Sequence, residues 1–337
     1  MAHVSWTEIE NFHSVRKSVK AVPHILGNRF VVEYRAKVKL HGTNAGVLAT
    51  LSGKVQAFSR TSVITPDCDN AGFAKWVDER KELFAQIAKV QNREFVVYGE
   101  WCGPGIQKGV ACSLIPERVF AVFAVRFIDG DKQEYISEPY ELLPFIDGVP
   151  GAYVIPWYHG IESVLIDYRL DAEALAPVLD KINGWVNEIE KCDPWIRDTF
   201  GVEGTGEGLV FYPRRPHGLT YEDFSNVCFK AKGEKHRVIA HNKPVQADAT
   251  VVASAKAFAE LVLPEARLVQ GAANAQTRDG RMCYDPRDMG NFIAWINKDV
   301  NKECQAELEA AGLSWKDAGK EVTAYARRWF LEKAKGE

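Results

Sequence analysis

The stretch KVKLHGTN, residues 37–44, carries two lysines in an alternating apolar run that ends on a histidine and a glycine. A lysine amine becomes a nucleophile once it has lost its proton, and neighbouring cations or a bound metal ion favour that loss. Gly42 would let a nucleotide approach the backbone closely. Lys39 is therefore a candidate nucleophile at the mouth of a pocket. A solvated lysine on an edge strand is the alternative that these residues leave open.

Two glutamates stand beside glycine-rich segments further along the chain. Glu100 lies at the end of the predicted strand EFVVY, before the turn CGPGIQKG, and Glu207 heads the predicted strand in GEGLVFYP. Mg²⁺ prefers oxygen ligands and keeps several of its waters, so carboxylates suit it better than histidine or cysteine. Both glutamates are candidate metal ligands.

The segment FKAK places Lys230 and Lys232 two residues apart on a predicted strand. Residues at this spacing point to the same face, so the two ammonium groups would converge. Two like charges on one face are unfavourable unless an anion lies between them, and a triphosphate would be such an anion. An ordinary exposed strand face is the alternative.

The elements that must position these groups are mainly strands. Six runs are rich in β-branched and aromatic residues with partial alternation: RFVVEYRAKVKL, AGVLATLSGKVQAFSR with a hairpin turn at LSGKV, EFVVYGEW, RVFAVFAVRFI, GEGLVFYP and NVCFKAKG. Residues 71–91 and 171–191 instead have apolar positions at helical spacing.

Beyond about residue 243 the strand signals nearly disappear and the chain becomes alanine-rich and helical. We place a boundary at HNKPVQAD, residues 241–248, which gives domains of residues 1–243 and 249–337. An α+β body with a helical appendage is the predicted architecture. Three positions are suited to begin helices of the appendage: Thr250, Asp285 followed by Pro286, and Ser314.

Bulk composition narrows the class of protein. The 337 residues carry 42 basic and 45 acidic side chains, so a polyanionic partner would have to meet local basic clusters. Seven cysteines without a C-x-x-C pair indicate free thiols in a reducing compartment rather than a zinc site. No apolar run approaches the roughly 20 residues of a membrane span, and the N-terminus lacks the apolar core of a secretory signal. We expect a cytoplasmic protein without a membrane partner.

Six ordered segments together resemble the motifs of the covalent nucleotidyltransferase superfamily of ATP-dependent polynucleotide ligases and capping enzymes. KLHGTN resembles the nucleophile motif, and SRTS, GEWCGPGIQK, FAVFAV, EGLVF and FKAK resemble the motifs that follow it. Within the superfamily, residues 35–235 are most similar to the RNA ligase 2 family of phage-type nick-sealing enzymes, because a histidine stands where DNA ligases usually have aspartate. The resemblance implies an α+β nucleotidyltransferase (ATP-grasp-like) domain of antiparallel sheets with flanking helices, followed by an all-helical domain.

The resemblance also implies a catalytic role for each charged residue of these motifs. Lys39 would attack the α-phosphate of ATP and carry AMP as a phosphoramidate. Glu100 would hold the ribose or a hydrated metal ion, and Glu207 would act chiefly at the metal. Lys230 and Lys232 would neutralise the phosphates during transfer.

The remaining cofactor-binding residues follow from the same resemblance. Asn44 and Arg60 would contact the ribose or the α-phosphate, with Arg60 also counted among the catalytic residues. His41 would organise the nucleophile loop, in which Leu40 would also contact the nucleotide. Phe123 would stack on adenine, although plain core packing would serve FAVFAV equally well.

The chain departs from the family pattern at two places. Relatives often have an acidic residue just before the nucleophile, where this chain has Val38. They often have a lysine after the fourth motif, where this chain has Tyr212. Arg214 or Arg215 could replace that lysine, and an RRPH loop without contacts is the alternative.

The implied cofactors are ATP, carried as AMP on lysine, and Mg²⁺, for which Mn²⁺ could substitute. The implied partner is RNA or an RNA-containing nicked duplex with 5′-phosphate and 3′-hydroxyl ends. We expect a monomer, in the host cytoplasm if the chain is phage-encoded. The phosphates would meet basic residues between 214 and 237 and arginines of the tail: Arg267, Arg278, Arg281, Arg287, Arg327 and Arg328.

Three other classes of protein were weighed. A DNA ligase or a capping enzyme is disfavoured by His41 and by the helical tail, because both usually append a small β-barrel. A silent nucleic-acid-binding relative would not need Lys39 opposite two carboxylates. A P-loop kinase is excluded because the G-x-x-x-x-G-K-[ST] string is absent from the sequence.

Overall fold

The fold is taken from a computed structural model. It describes residues 3–21, 30–60, 62–67, 69–107, 109–128, 134–160, 163–214, 224, 226–233, 255–275, 284–304, 307–308 and 311–335. The chain divides into two compact units, Met1–Gly233 and Glu234–Glu337. The predicted boundary at residues 241–248 lies outside the described residues, as do Thr250 and Arg215.

The described residues of the first unit form twelve strands. These are β1 (Glu10–Asn11), β2 (Val31–Lys39), β3 (Thr43–Ala49), β4 (Val55–Ser59), β5 (Val63–Ile64), β6 (Phe95–Cys102), β7 (Val119–Phe127), β8 (Tyr135–Ile136), β9 (Ala152–Val154), β10 (Val164–Asp167), β11 (Gly208–Pro213) and β12 (Phe229–Lys232). Each of the six runs that the sequence predicted as strands contributes to one or two of them.

Six α-helices are described in the same unit. These are α1 (Phe12–Ala21), α2 (Phe73–Asp78), α3 (Lys81–Gln91), α4 (Pro139–Leu142), α5 (Ala172–Lys191) and α6 (Pro194–Phe200). The helical pattern over residues 71–91 therefore yields two helices. The break lies at Arg80, whose guanidinium donates to the carbonyl oxygen of Trp76 at 3.0 Å and so satisfies an acceptor at the end of α2.

The described strands pair into two sheets. One has the order β1-β12-β11-β2-β10, and the other has the order β5-β4-β3-β6-β7-β8 with β9 beside β7. The pairings are antiparallel apart from β1 with β12 and β7 with β9. The predicted α+β fold of antiparallel sheets with flanking helices is confirmed.

The two sheets face each other, and the helices cover their outer faces. Alternation of buried and more exposed residues along β2 produces this arrangement. Tyr34, Ala36 and Val38 point to the outer face and enter the core that β2 shares with α1 and α5. The second sheet buries its outer face against α2 and α3. The inner faces meet in a third cluster that includes Tyr98 from β6 and Tyr212 from β11. We call the space between these inner faces the cleft.

The described part of the second unit is helical and contains no strand. Its helices are α7 (Ala255–Val262), α8 (Glu265–Ala275), α9 (Met289–Glu303) and α10 (Trp315–Lys335), around a core that includes Phe258, Phe292 and Phe330. Ser314 precedes α10 as predicted, and its backbone N–H donates to the Asp317 carboxylate at 3.0 Å. Asp285 likewise accepts from the backbone N–H of Arg287 at 2.8 Å, at the turn before α9. The predicted helical C-terminal region is confirmed.

Among the described residues, no helix is long and apolar enough to cross a bilayer.

Candidate active site

A buried carboxylate joins two of the predicted lysines at one end of the cleft. Glu207 Oε2 lies 2.6 Å from the Nζ atom of Lys39, and Glu207 Oε1 lies 3.4 Å from the Nζ atom of Lys232. Only 3 % of the Glu207 side chain is exposed. Burial by itself would raise the pKa of Glu207, but the charges of the two lysines hold it well below its ordinary value. The site therefore keeps a permanent negative charge between two cations.

Strand register brings these three residues together. Gly208 of β11 pairs with Lys39 of β2 on one side and with Lys232 of β12 on the other. The backbone of Gly208 has a φ of +146°, and a Cβ atom there would lie 2.1 Å from the Ala231 carbonyl oxygen. Only glycine fits this approach, so the glycine after Glu207 is what lets the carboxylate stand between the lysines.

The loop after Lys39 is held by Glu100. One carboxylate oxygen of Glu100 accepts the backbone N–H of Gly42 at 3.0 Å, and Gln107 Nε2 donates to the Gly42 carbonyl at 3.2 Å. A Cβ atom at Gly42 would lie 2.4 Å from the Trp101 carbonyl oxygen. The glycine is therefore required by the close approach of β6, a packing reason that differs from the nucleotide access expected from the sequence.

The electrostatics of Glu100 differ from those of Glu207. Removal of its carboxyl group from water raises the pKa of Glu100 to about 7; attraction to Lys39 opposes this rise and repulsion from Glu207 adds to it. The negative charge of Glu207 therefore makes ionisation of Glu100 less favourable. A cation placed between them would relieve that repulsion.

Two carboxylates are a small ligand set for a metal ion. The described residues contain no cluster of three or more His, Cys, Asp or Glu side chains that could enclose one. Mg²⁺ commonly binds through one or two carboxylates together with substrate phosphates and water. Glu100 and Glu207 fit this open mode of binding, and they do not fit a closed structural metal site.

The other predicted residues of the nucleophile loop are placed at different depths. His41 Nδ1 lies 3.8 Å from Glu207 Oε2, and Asn44 is paired with Glu100 across β3 and β6. Leu40 is only 4 % exposed and belongs to the core under β2. Any contact of Leu40 with a nucleotide would therefore come from its backbone and not from its side chain.

Arg60 acts on the site from a distance: burial raises the pKa of Glu100, and the charges of Lys39 and Arg60 oppose that rise. The Arg60 guanidinium pairs with Glu8 Oε1 at 3.3 Å, and both side chains are more than half exposed. The predicted contact of Arg60 with a phosphate or ribose therefore requires this exposed ion pair to open. Exposed pairs contribute about 0–1 kcal/mol, so opening it costs little.

A second row of residues crosses the same sheet beneath the charge cluster. Val210 of β11 pairs with Lys37 of β2 and with Lys230 of β12, so the three share the cleft face. Half-buried Phe123 of β7 packs into the same inter-sheet cluster as Val210, beside Trp6 at a ring separation of 5.6 Å. We call the apolar surface formed by Val210 and the ring of Phe123 the slot; a valine and an aromatic ring would suit a planar base.

The site predicted from the sequence did not include Val210 or Lys37. The spacing from Lys39 indicates that Lys37 lies on the same face of the strand, because residues two apart on a strand share a face. Nothing local marked Val210, which the register of β2, β11 and β12 brings into the slot.

The two departures from the family pattern have structural explanations. Val38 points away from the cleft into the core under β2, where an acidic side chain would be buried. Tyr212 is 3 % exposed among aromatic side chains, and burial raises its pKa well above its ordinary value. Arg214 is exposed and pairs with Glu33 at 2.9 Å; its replacement of a fourth-motif lysine stays a prediction.

The chain is similar to solved RNA ligase structures and to one protein-family model. Naegleria gruberi RNA ligase with PPi aligns at 18% sequence identity and a TM-score of 0.44, covering 69% of this chain and 57% of that chain. A mutant of the same ligase with AMP and Mn aligns at 18% identity and a TM-score of 0.43, with the same coverage. This chain thus spans little more than half the length of those ligases. The family model described as RNA ligase matches residues 32–232, which include every site residue discussed above from Lys37 to Lys232. The chain belongs to the RNA ligase family.

Proposed function

We propose that the protein is an ATP-dependent RNA ligase of the RNA ligase 2 type, which seals RNA 3′-hydroxyl and 5′-phosphate ends at duplex nicks. The observation that carries the proposal is the pairing of Lys39 with Glu207 beside Lys232, in a cleft with an apolar slot. The Naegleria gruberi ligase has been solved with AMP and Mn and with PPi, the groups that such a reaction would bind and release.

In the first step the Nζ atom of Lys39 attacks the α-phosphorus of ATP. The N–P bond forms, the bond from the α-phosphorus to the bridging oxygen breaks, and pyrophosphate leaves with both bonding electrons. The ammonium group of Lys39 gives up two protons to water during this step. Lys39 can attack only after it has left its ion pair with Glu207, and Lys232 then remains to meet the charge on the phosphates.

Glu100 and Glu207 would hold a divalent cation, Mg²⁺ or Mn²⁺. When bound, the cation would neutralise charge on the phosphate oxygens. Glu207 suits this role because it stays ionised across the physiological range, as its lowered pKa requires. Glu100 would contribute fully only above about pH 7.

The adenine base would lie between Phe123 and Val210, and this orients the α-phosphate toward Lys39. Lys230, in the row of Val210, would act with Lys232 on the phosphates. Asn44 and Arg60 would contact the ribose or the α-phosphate, with His41 organising the loop. These contacts would convert a bimolecular attack into one within a single complex.

In the later steps AMP passes from Lys39 to the RNA 5′-phosphate, and the neighbouring 3′-hydroxyl displaces it. The RNA would be held by basic surfaces such as the groove along α10, about 570 Å³ in volume. That groove is lined by Lys320, Thr323, Ala324, Arg327, Arg328, Leu331, Glu332 and Lys335. Phosphate contacts of this kind give affinity that falls with salt. We also propose that the protein acts as a monomer in the cytoplasm.

The test is covalent labelling of the protein. Incubation with Mg²⁺ and α-labelled ATP, followed by denaturation, should leave acid-labile label on the wild type and on Lys75→Ala, in which an exposed lysine of α2 is removed. Lys39→Ala should carry none. Label from GTP alone would indicate a capping enzyme, and absence of label from either nucleotide would indicate a silent binder. Sealing of nicked duplexes in preference to single strands would then test the substrate.

A further inference from the structure

Lys37 is a buried lysine that the proposed reaction does not use. Its side chain lies on the cleft face of β2, two residues from Lys39, and only 1 % of the residue is exposed. Its Nζ atom donates to the backbone carbonyl of Phe123 at 2.8 Å. This bond links the strand that carries the nucleophile to the strand that carries the proposed base-stacking ring.

The surroundings of Lys37 are mainly aromatic. The Nζ atom lies 5.0 Å from the ring centroid of Trp157 and 5.5 Å from that of Tyr212. Among the described residues, the titratable or charged side chains around this group include Arg35 and Lys39 on the same strand, Tyr212 on β11, and Glu138 at the start of α4. Glu138 accepts from Arg35 at 3.2 Å and from Trp157 Nε1 at 2.7 Å, and acts on Lys37 only through its charge.

Burial of an ammonium group without a carboxylate in contact is unfavourable for stability. Consistent with this, removal from water lowers the pKa of Lys37 to about 7, although Glu138 opposes the shift. An apolar side chain of similar volume would fill the position at lower cost. What an apolar side chain could not do is hold the carbonyl of Phe123.

We propose that Lys37 is a positioning residue for nucleotide binding, which fixes Phe123 at a set distance from Lys39 by bonding its carbonyl group across the cleft. The inference rests on the proposed ATP-binding role of the cleft. Two residues of strand span about 6.6 Å, which is comparable to the separation of a nucleotide base from its α-phosphate. The Lys37 bond therefore anchors the base end of the site, while Glu207 and Lys232 act at the phosphate end.

The experiment measures adenylation of Lys39 at increasing concentrations of α-labelled ATP. Lys37→Met removes the N–H donors at nearly constant volume, and we expect it to raise the half-saturating ATP concentration about tenfold, the effect of one well-placed hydrogen bond. The maximal rate should stay within about twofold, since the phosphate end is untouched. Lys37→Arg, which keeps donors and charge, should return to within about threefold of wild type.

Two further measurements separate positioning from general structural support. Pyrophosphate has no base, so its half-saturating concentration for the reverse reaction, in which it attacks the phosphorus of Lys39-AMP and re-forms ATP and free Lys39, should be unchanged in Lys37→Met. If Lys37 acts through Phe123, the double variant Lys37→Met/Phe123→Ala should bind ATP no more weakly than Phe123→Ala alone.

Several results would overturn the proposal. In Lys37→Met, an unchanged half-saturating ATP concentration would do so, whether or not the maximal rate falls. An equal rise in the half-saturating concentration of pyrophosphate would also do so. Additive effects on ATP binding in the double variant would be the third such result. If Lys37→Met does not fold, Lys37→Gln takes its place, because its shorter amide cannot reach the carbonyl, and unchanged ATP saturation there would equally refute the role. A wild type that takes no label would refute the proposed function and this inference together, whereas a labelled wild type with unaffected variants refutes this inference alone.

Discussion

Lys37 and Lys39 stand two residues apart on the same face of β2 and have opposite surroundings. Lys39 is 22 % exposed and lies against the Glu207 carboxylate, with Lys232 on the other side of that carboxylate. Lys37 is closed off by aromatic rings, and its hydrogen-bond acceptor is a backbone carbonyl. The two lysines therefore differ through what packs against them. The amine of Lys39 stays partly exposed, and the amine of Lys37 links the two sheets by a hydrogen bond.

The largest expected effect comes from removing the carboxylate that distinguishes the two surroundings. Glu207→Gln leaves two lysines without their shared anion and removes a proposed metal ligand, so adenylation should fall at least about 1000-fold. Glu203→Gln makes the same chemical change at an exposed position four residues earlier and should label normally. Substantial labelling of Glu207→Gln would mean that the environment of Lys39 does not set its reactivity.

The second largest expected effect is the loss of adenylation when a lysine is removed from either row of the sheet. Lys232 shares the row of Lys39 and contacts Glu207, whereas Lys230 shares the row of Lys37. We expect adenylation to fall about 100-fold in Lys232→Ala and by a smaller factor in Lys230→Ala, because charge nearest the leaving group matters most. Lys191→Ala, at the exposed end of α5, is the matched control. Equal labelling of Lys232→Ala and wild type would remove the phosphate-neutralising role.

The pH dependence of adenylation reports the protonation of Glu100. Because the pKa of Glu100 is raised to about 7, its carboxylate form is gained as pH rises through 7 and lost below it. The adenylation rate should therefore fall about tenfold per pH unit below about pH 7. Burial lowers the pKa of Lys37 to about 7 as well, so the profile is repeated in Lys37→Met. A profile that becomes flat in that variant would assign the titration to Lys37 instead.

The smallest effect is on stability. The pKa of Lys37 is lowered in the folded protein, so its contribution to stability is complete above its ordinary pKa and is lost as pH falls toward about 7. Lys37→Met should therefore melt about 2–4 °C above wild type at pH 7, and this gain should shrink as pH rises toward 10. Lys39→Met, which takes a cation from Glu207, should melt below wild type. A lower melting temperature for Lys37→Met would show that the buried amine stabilises the fold.

The strands and the charged motifs could be predicted because their signals are local. Alternation along residues 31–39 fixes both the strand and its polar face, and Ser314 with Asp317 marks a helix start within four residues. The order of the motifs likewise predicted Lys39 as the nucleophile and Glu100 and Glu207 as metal ligands, and these roles stay predictions. Leu40 shows the limit of such reasoning, since a place in the motif does not say which way a side chain points.

The sequence by itself determined which residue types were available for the chemistry, their order, and the α+β framework that carries them. Tertiary structure alone decided that Glu207 contacts Lys39 across 168 residues, that Arg60 pairs with Glu8, and that Lys37 reaches the carbonyl of Phe123. The reason is physical: strand periodicity depends on neighbouring residues. Register, burial and the resulting electrostatics depend on segments distant in the sequence that meet only when the strands pair and the two sheets pack together.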